Sequence, residues 1–88
     1  MPTASKNIVG PQVRKLRVAR GISQAALAAS CQRGGWDIGR ALLAKIECGV
    51  RCVDDGELLE LAKALRCPMA DLYPARVQSV IRGKKSAS

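Results

Sequence analysis

The stretch Gly21-Ile22-Ser23-Gln24-Ala25-Ala26-Leu27-Ala28 predicts where one helix ends and the next begins. Gly21 has the residue type that commonly ends a helix, because glycine adopts the left-handed conformation without strain. Ser23 is an N-cap residue, since its hydroxyl can accept a hydrogen bond from a free backbone N–H of the following turn. We therefore expect a first helix that begins near residues 9–11 and ends at Gly21, and a second over residues 24–32.

Two further helices follow in the sequence. Gly34-Gly35 breaks the second helix and Gly49 ends the third, which we expect over residues 39–48. Asp54 and Glu57 resemble a capping box that opens the fourth helix. Its apolar residues recur at helical spacing and are Leu58, Leu61, Ala62 and Leu65. With a short final turn after Pro68, the pattern predicts an all-α, compact bundle of four to five short helices.

The length of the chain is sufficient for one domain. Its 88 residues are 48% hydrophobic, which permits a modest core. Trp36 and Tyr73 are its two aromatic residues, so the core is expected to consist of aliphatic side chains. We expect a flexible N-terminal segment at 1–8, a folded domain at 9–74 and a basic C-terminal tail at 75–88.

The net charge of +8 is unevenly distributed. Residues 1–36 contain basic residues and no acidic one, whereas every Asp and Glu lies between Asp37 and Asp71. The tail from Arg76 onward is again basic without acids. This asymmetry favours a polyanionic partner on the N-terminal side, with an inert basic surface as the alternative.

Several other classes of protein are disfavoured. No stretch approaches the ~20 apolar residues that span a bilayer, and Lys6, Gly10 and Pro11 interrupt any signal-peptide core. A cytoplasmic protein with reduced cysteines is therefore expected. Without histidine the usual proton shuttle near neutral pH is missing. We expect neither catalysis nor a cofactor.

These elements together resemble the Cro and cI repressor type of helix-turn-helix, the XRE-like or lambda-repressor-like DNA-binding domain. The resemblance covers about residues 9–73. Its strongest segment is Ala44-Lys45-Ile46-Glu47-Cys48-Gly49, which is similar to the end of the family's recognition helix. It implies a sequence-specific transcriptional regulator, most often a repressor, associated with the bacterial nucleoid. An antitoxin-like or other protein-interaction module on the same scaffold is the alternative.

One departure from the family lies between the second and third helices. From Leu27 to Glu47 the chain is about five residues longer than the family's usual arrangement, and the additional residues lie within 32–38. The connection therefore exceeds the turn of ~3–4 residues typical of the motif. Trp36 lies in this longer loop. We expect its indole to anchor the loop to the core, with stacking on a nucleic-acid base as the alternative.

The third helix contains the expected base-reading residues. If Leu43 and Ile46 face the core, the outward positions are Arg40, Ala41, Ala44 and Lys45. The guanidinium of Arg40 can bond guanine O6 and N7 together, and Lys45 can bond a base or a phosphate. The resemblance implies the same positions as base-facing. A merely solvated helix face is the alternative.

Two residues are predicted to contact DNA phosphates. The resemblance implies this role for Gln24, at the start of the second helix, where free N–H groups assist. Simple surface exposure is the alternative for Gln24. Arg51, just after Gly49, is placed to reach the backbone on the far side of the recognition helix.

The resemblance also implies an ion pair between Arg17 on the first helix and Glu47 at the end of the third. We expect this pair to be partly buried and to hold the recognition helix against the body of the domain.

The four cysteines permit two interpretations. Cys48 and Cys52 have a zinc-like spacing, which Cys31 and Cys67 would complete to four ligands. The resemblance instead places Cys31 and Cys67 at core positions, where a free thiol packs well. We expect inert thiols and no metal, with redox sensing at Cys48 as a further alternative.

Double-stranded DNA is the expected partner, and a homodimer is the expected active form. One short helix reads few bases, and paired half-sites double the contacts. The last helices and the tail are the expected dimer surface because they lie away from the proposed DNA face. The acidic fourth helix and the 77–81 segment are alternative surfaces for a protein partner. RNA is less expected, because stacking aromatics are nearly absent.

Overall fold

The computed structural model describes residues 6–81, and in this range the chain is helical and has no strand. The elements in chain order are α1 (Gly10–Ala19), α2 (Gln24–Arg33), α3 (Arg40–Glu47), α4 (Asp55–Leu65), a 3-10 turn (Met69–Leu72) and α5 (Ala75–Ile81). The expectation of an all-α bundle is confirmed. None of the helices over residues 6–81 is long and apolar enough to cross a membrane.

Local side-chain chemistry explains where these helices begin. The hydroxyl of Ser23 accepts a hydrogen bond from the backbone N–H of Ala26 at 3.0 Å, as an N-cap does. At α4, Asp54 accepts from the N–H of Glu57 at 2.8 Å, and the Glu57 carboxylate accepts from the N–H of Asp54 at 3.2 Å. Both predicted caps are therefore confirmed.

The ends of the helices follow from backbone conformation. Gly21 has φ +69° and Gly49 has φ +80°, so each glycine makes the left-handed turn that ends α1 and α3. Arg66 makes the same turn after α4 with φ +56°. A non-glycine residue there carries a steric cost, so residue type alone does not mark this stop two residues before Pro68.

The core lies between α1, α2, α3 and α4, and the 3-10 turn closes it against α1 and α4. Its fully buried side chains are almost all aliphatic: Val13, Leu27, Cys31, Ile38, Leu43, Ile46, Leu61, Leu65 and Leu72. The expected inner faces of α3 and α4 are thus confirmed. Burial of this apolar surface is the main force that holds the short helices together.

The loop between α2 and α3 spans residues 34–39 and is anchored at several points. Ile38 is completely buried, and its carbonyl accepts a hydrogen bond from the Gln32 amide at 2.5 Å. Trp36 is half-buried against the core, as expected for an anchor, and its backbone N–H donates to the carbonyl of Cys31 at 3.0 Å. Helix α3 begins at Arg40 with Gly39 as a cap that offers no side chain.

The two ends of the chain are described only in part. The predicted flexible segment 1–8 includes residues 1–5, which lie outside the described residues, whereas Lys6 and Asn7 make hydrogen bonds to the end of α3. The predicted tail at 75–88 begins with α5, and residues 82–88 lie outside the description. Helix α5 packs on the 3-10 turn and leaves Val80 74% and Ile81 44% exposed.

Candidate nucleic-acid interface

Helix α3 has one side in the core and one side in solvent. Leu43 and Ile46 are completely buried. The four predicted base-facing residues lie on the other side: Arg40, Ala41 and Lys45 are exposed and Ala44 is half-buried. The structure therefore brings these four residues together on one accessible helix face. The small side chains of Ala41 and Ala44 between the two cations allow the helix to approach a base-pair edge closely.

The end of α3 is held by a buried ion pair. The Nε of Arg17 donates to Glu47 Oε2 at 2.7 Å and its Nη2 donates to Oε1 at 3.0 Å. The side chains are only 11% and 2% exposed, respectively. The third donor of Arg17 bonds the carbonyl of Ile22 at 2.9 Å. Helices α1 and α3 and the α1–α2 turn are thereby joined through one guanidinium.

The hydrogen bonds to Glu47 outweigh the effect of burial on the pKa of Arg17. Donation to Glu47 raises the pKa of Arg17 above its ordinary value, burial lowers it, and the charge of Glu47 raises it further. The bidentate geometry satisfies both carboxylate oxygens, which is what a desolvated carboxylate requires. Arg17 therefore remains charged and fixed in one orientation.

Gln24 extends this network to α2. It is the first residue of α2 and is half-buried, and its Nε2 donates to Glu47 Oε1 at 3.0 Å. Gln24 is thus not simply an exposed surface residue. Because a side-chain amide has two N–H groups, the bond to Glu47 leaves a second donor for a phosphate beside the start of α2.

Arg51 is engaged within the protein. Its two terminal nitrogens donate to the two carboxylate oxygens of Glu57 at 2.7 and 2.9 Å, and Nη1 also donates to the carbonyl of Cys52 at 2.9 Å. The hydrogen bonds with Glu57 raise the pKa of Arg51, and those with Arg51 lower the pKa of Glu57. This pair connects the loop after α3 to the first turn of α4. A phosphate that binds Arg51 would have to share the guanidinium with Glu57 or displace Glu57 from it.

Asn7 is a connection that sequence reasoning missed. Its Nδ2 donates to the carbonyls of Ile46 at 3.1 Å and Arg51 at 2.7 Å, and its Oδ1 accepts from the N–H of Gly10 at 2.7 Å. The local signal was an asparagine shortly before a helix, since its side-chain oxygen can accept from the N–H groups two and three residues ahead. Its contacts with residues 46 and 51 could not be read from local sequence.

The four cysteines differ in their burial. Cys31 is buried, Cys67 is half-buried, and Cys48 and Cys52 are exposed. Within the described range, residues 6–81, no cluster of His, Cys, Asp and Glu could hold a metal ion. Burial raises the pKa of Cys31 to about 11, and burial also raises that of Cys67. Both thiols are therefore protonated and unreactive near neutral pH.

Comparison with known sequences decides the family. A family model described as helix-turn-helix matches residues 13–72. The chain belongs to the helix-turn-helix family. Membership identifies this helix-turn-helix protein as a DNA-binding transcriptional regulator and not an enzyme. A comparison with curated proteins gave no match.

Two solved structures are similar to this helix-turn-helix protein. The restriction-modification controller protein C.AhdI from Aeromonas hydrophila has 32% identity and a TM-score of 0.66, over 74% of this chain and 87% of C.AhdI. The clp gene regulator ClgR from C. glutamicum has 18% identity and a TM-score of 0.70, over 99% of this chain and 100% of that one. The likeness to ClgR is one of fold.

Proposed function

We propose that the protein is a sequence-specific repressor that binds DNA as a homodimer, with α3 of each protomer in the major groove. Arg40, Ala41, Ala44 and Lys45 face the bases in this arrangement. The observation that carries the proposal is the two-sided character of α3. Its predicted reading face is exposed, while Glu47 at its end is tied to Arg17 and Gln24.

The phosphate contacts of this proposal come from the two sides of α3. Gln24 offers its second amide N–H at the start of α2, where the backbone N–H groups add a favourable dipole. Arg51 offers its guanidinium on the opposite side, with Glu57 as the competitor that holds it in place before DNA arrives. Contacts of this kind set the register of the protein on DNA without reading sequence.

The exposed basic residues of α1 support DNA as the partner. Arg14 and Lys15 are exposed and have no acidic residue in their helix. A basic surface raises the rate and affinity of association with DNA at low salt. The 32% identity to a controller protein supports gene regulation as the purpose of that binding.

The dimer is proposed to form through α5 and the 3-10 turn. Val80 and Ile81 expose apolar surface there, and a two-fold pair of reading helices needs a contact away from the DNA. Analytical ultracentrifugation of the wild type and of the variant Ile81→Asp tests this surface. A dimer that becomes a monomer in the variant supports it, and a wild-type monomer at binding concentrations excludes it.

The experiment on DNA reading uses fragments of the source genome, selected by binding, and fluorescence anisotropy at several salt concentrations. We expect Arg40→Ala to lose about 1–3 kcal/mol of preference for the selected site, the value of one bidentate arginine–guanine contact. Arg14→Ala is the matched control, since it removes the same charge from exposed surface outside α3. It should weaken selected and random DNA equally.

The opposite results are equally informative. If Arg40→Ala keeps the full preference for the selected fragment, α3 does not read bases through this residue. If the wild type binds random and selected DNA alike, the basic charge is generic, and a protein-interaction role replaces the regulator that reads DNA sequence.

A further inference from the structure

The C-terminal end of α3 meets the N-terminal end of α1. The last carbonyls of a helix have no partner within it and need donors from elsewhere. Here the Ile46 carbonyl accepts from the backbone N–H of Gly49 at 3.0 Å and also from the Asn7 amide at 3.1 Å, and the carbonyl of Gly49 accepts from the N–H of Lys6 at 2.7 Å. A second carbonyl of the following loop, that of Arg51, accepts from Asn7 at 2.7 Å.

The other side of the same amide belongs to α1. Asn7 Oδ1 accepts from the N–H of Val9 at 3.1 Å and from that of Gly10 at 2.7 Å. Both amide protons and the carbonyl of one side chain are therefore used between three segments: the start of α1, the end of α3 and the loop that contains Arg51. An amide used in this way has a single orientation and cannot rotate without loss of several bonds.

Gly10 allows these two helix ends to approach. A Cβ at residue 10 would overlap the carbonyl oxygen of Ile46 and lie 3.0 Å from that of Glu47. Both neighbours are backbone atoms, which cannot move aside as a flexible side chain can. The positive end of the α1 dipole therefore lies against the negative end of the α3 dipole, an arrangement that each helix favours.

From these contacts we infer that Asn7 is a positioning residue for DNA reading. It sets the tilt of α3 and the place of the loop at 49–52, although it lies at the end of α3 opposite Arg40. The inference rests on the proposed function. The eight residues of α3 form a rod of ~12 Å, so a shift of about 1 Å at its end tilts it by roughly 5°. Paired hydrogen bonds between a guanidinium and a base tolerate little misalignment.

This role differs from that of the Arg17–Glu47 pair. The ion pair holds the side chain of Glu47, whereas Asn7 holds backbone carbonyls on both sides of the turn at Gly49. Loss of Asn7 leaves the core and the ion pair intact. The folded domain should persist with its reading helix less precisely placed.

The test uses Asn7→Ser in the full chain. Serine keeps an oxygen that caps α1, but one hydroxyl cannot donate to both carbonyls. We expect the ratio of affinities for selected over random DNA to fall about tenfold, as for one misplaced bidentate contact, with affinity for random DNA unchanged. Gly10→Ala keeps the Asn7 residue, but its Cβ would overlap the Ile46 carbonyl and crowd Asn7 Oδ1 at 3.0 Å, so it should lower this ratio as well.

Ala64→Gly on α4 is the control for a purely structural effect. It lowers helix stability at a half-buried position outside the proposed DNA surface, and it should lower the melting temperature without changing the affinity ratio. All variants are compared at a temperature where circular dichroism shows each of them folded. The inference is overturned if Asn7→Ser and Gly10→Ala keep the wild-type ratio, as Ala64→Gly does.

A failure of the proposed function would look different. If the wild type itself shows no preference for selected DNA, both the proposed function and this inference are wrong. If the wild type has a preference that Arg40→Ala abolishes and Asn7→Ser retains, only this inference is wrong.

Discussion

Replacement of Glu47 by alanine should destabilise the fold more than any surface substitution. The change removes both hydrogen bonds from Arg17 and the one from Gln24, and it leaves a guanidinium with an 11% exposed side chain without its counter-charge. Breaking a buried pair by removing one partner costs about 3–5 kcal/mol. That is a large share of the roughly 5–15 kcal/mol that stabilises an ordinary domain.

Urea unfolding at a fixed protein concentration measures this loss. With a slope of about 1 kcal/mol per molar urea, the low value typical of small domains, a loss of about 3–5 kcal/mol lowers the midpoint by roughly 3–5 M at constant slope. Glu60→Ala is the matched control. The distance from Lys63 Nζ to Glu60 Oε2 is 3.4 Å, longer than the 2.7 Å between Arg17 and Glu47, and the Lys63 side chain is 61% exposed. The control should change stability by less than about 1 kcal/mol.

A double variant separates the unpaired charge from lost packing. Arg17→Met with Glu47→Met removes both charges and keeps apolar volume, so it should recover much of the stability lost in Glu47→Ala. The reasoning is refuted if Glu47→Ala costs no more than Glu60→Ala. It is also wrong about the cause if the double variant is as unstable as the single one.

Two further predictions concern titration and thiol reactivity. Hydrogen bonds from Arg51 lower the pKa of Glu57 in the folded protein below its ordinary 4.5. The ionised Glu57 therefore stabilises the fold fully above pH 4.5, and this stabilisation is lost as the pH falls through the folded-state pKa. Glu57→Gln keeps the capping box but cannot titrate, so its melting temperature should fall less between about pH 5 and pH 3; an unchanged slope would contradict this. Iodoacetamide should label the exposed Cys48 and Cys52 in the native protein and Cys31, with a pKa of about 11, only after unfolding; mass spectrometry of native and urea-treated samples checks this, and native labelling of Cys31 would disprove its burial.

Local sequence predicted the helix caps and stops best, because the residues that interact there lie within one helical turn of each other. The caps at Ser23 and Asp54 involve a side chain and an N–H three residues away, so residue type and spacing suffice to predict them. The stops at Gly21 and Gly49 follow from glycine's access to positive φ. The inward and outward faces of α3 follow from helical periodicity, which placed Arg40 and Lys45 in solvent.

Long-range partners were outside the reach of such rules. Arg51 was predicted from its position to meet phosphate, but its guanidinium is paired with Glu57, because the turn after α3 brings it against the first turn of α4. The sequence predicted Trp36 as the anchor of the longer loop before α3, but it gave no sign that Ile38 would enter the core. Ile38 is completely buried in the core cluster, and this burial depends on tertiary packing that local sequence does not show.

The sequence by itself determined the helices, their caps and the apolar faces, because these depend on residues within a few positions of each other. Tertiary structure alone decided how the reading helix is held. Asn7 lies 39 residues from Ile46 and 44 from Arg51, and Arg17 lies 30 from Glu47. A hydrogen bond over such separations exists only after the core has brought α1 against α3, so its partners are set by three-dimensional packing and not by local pattern.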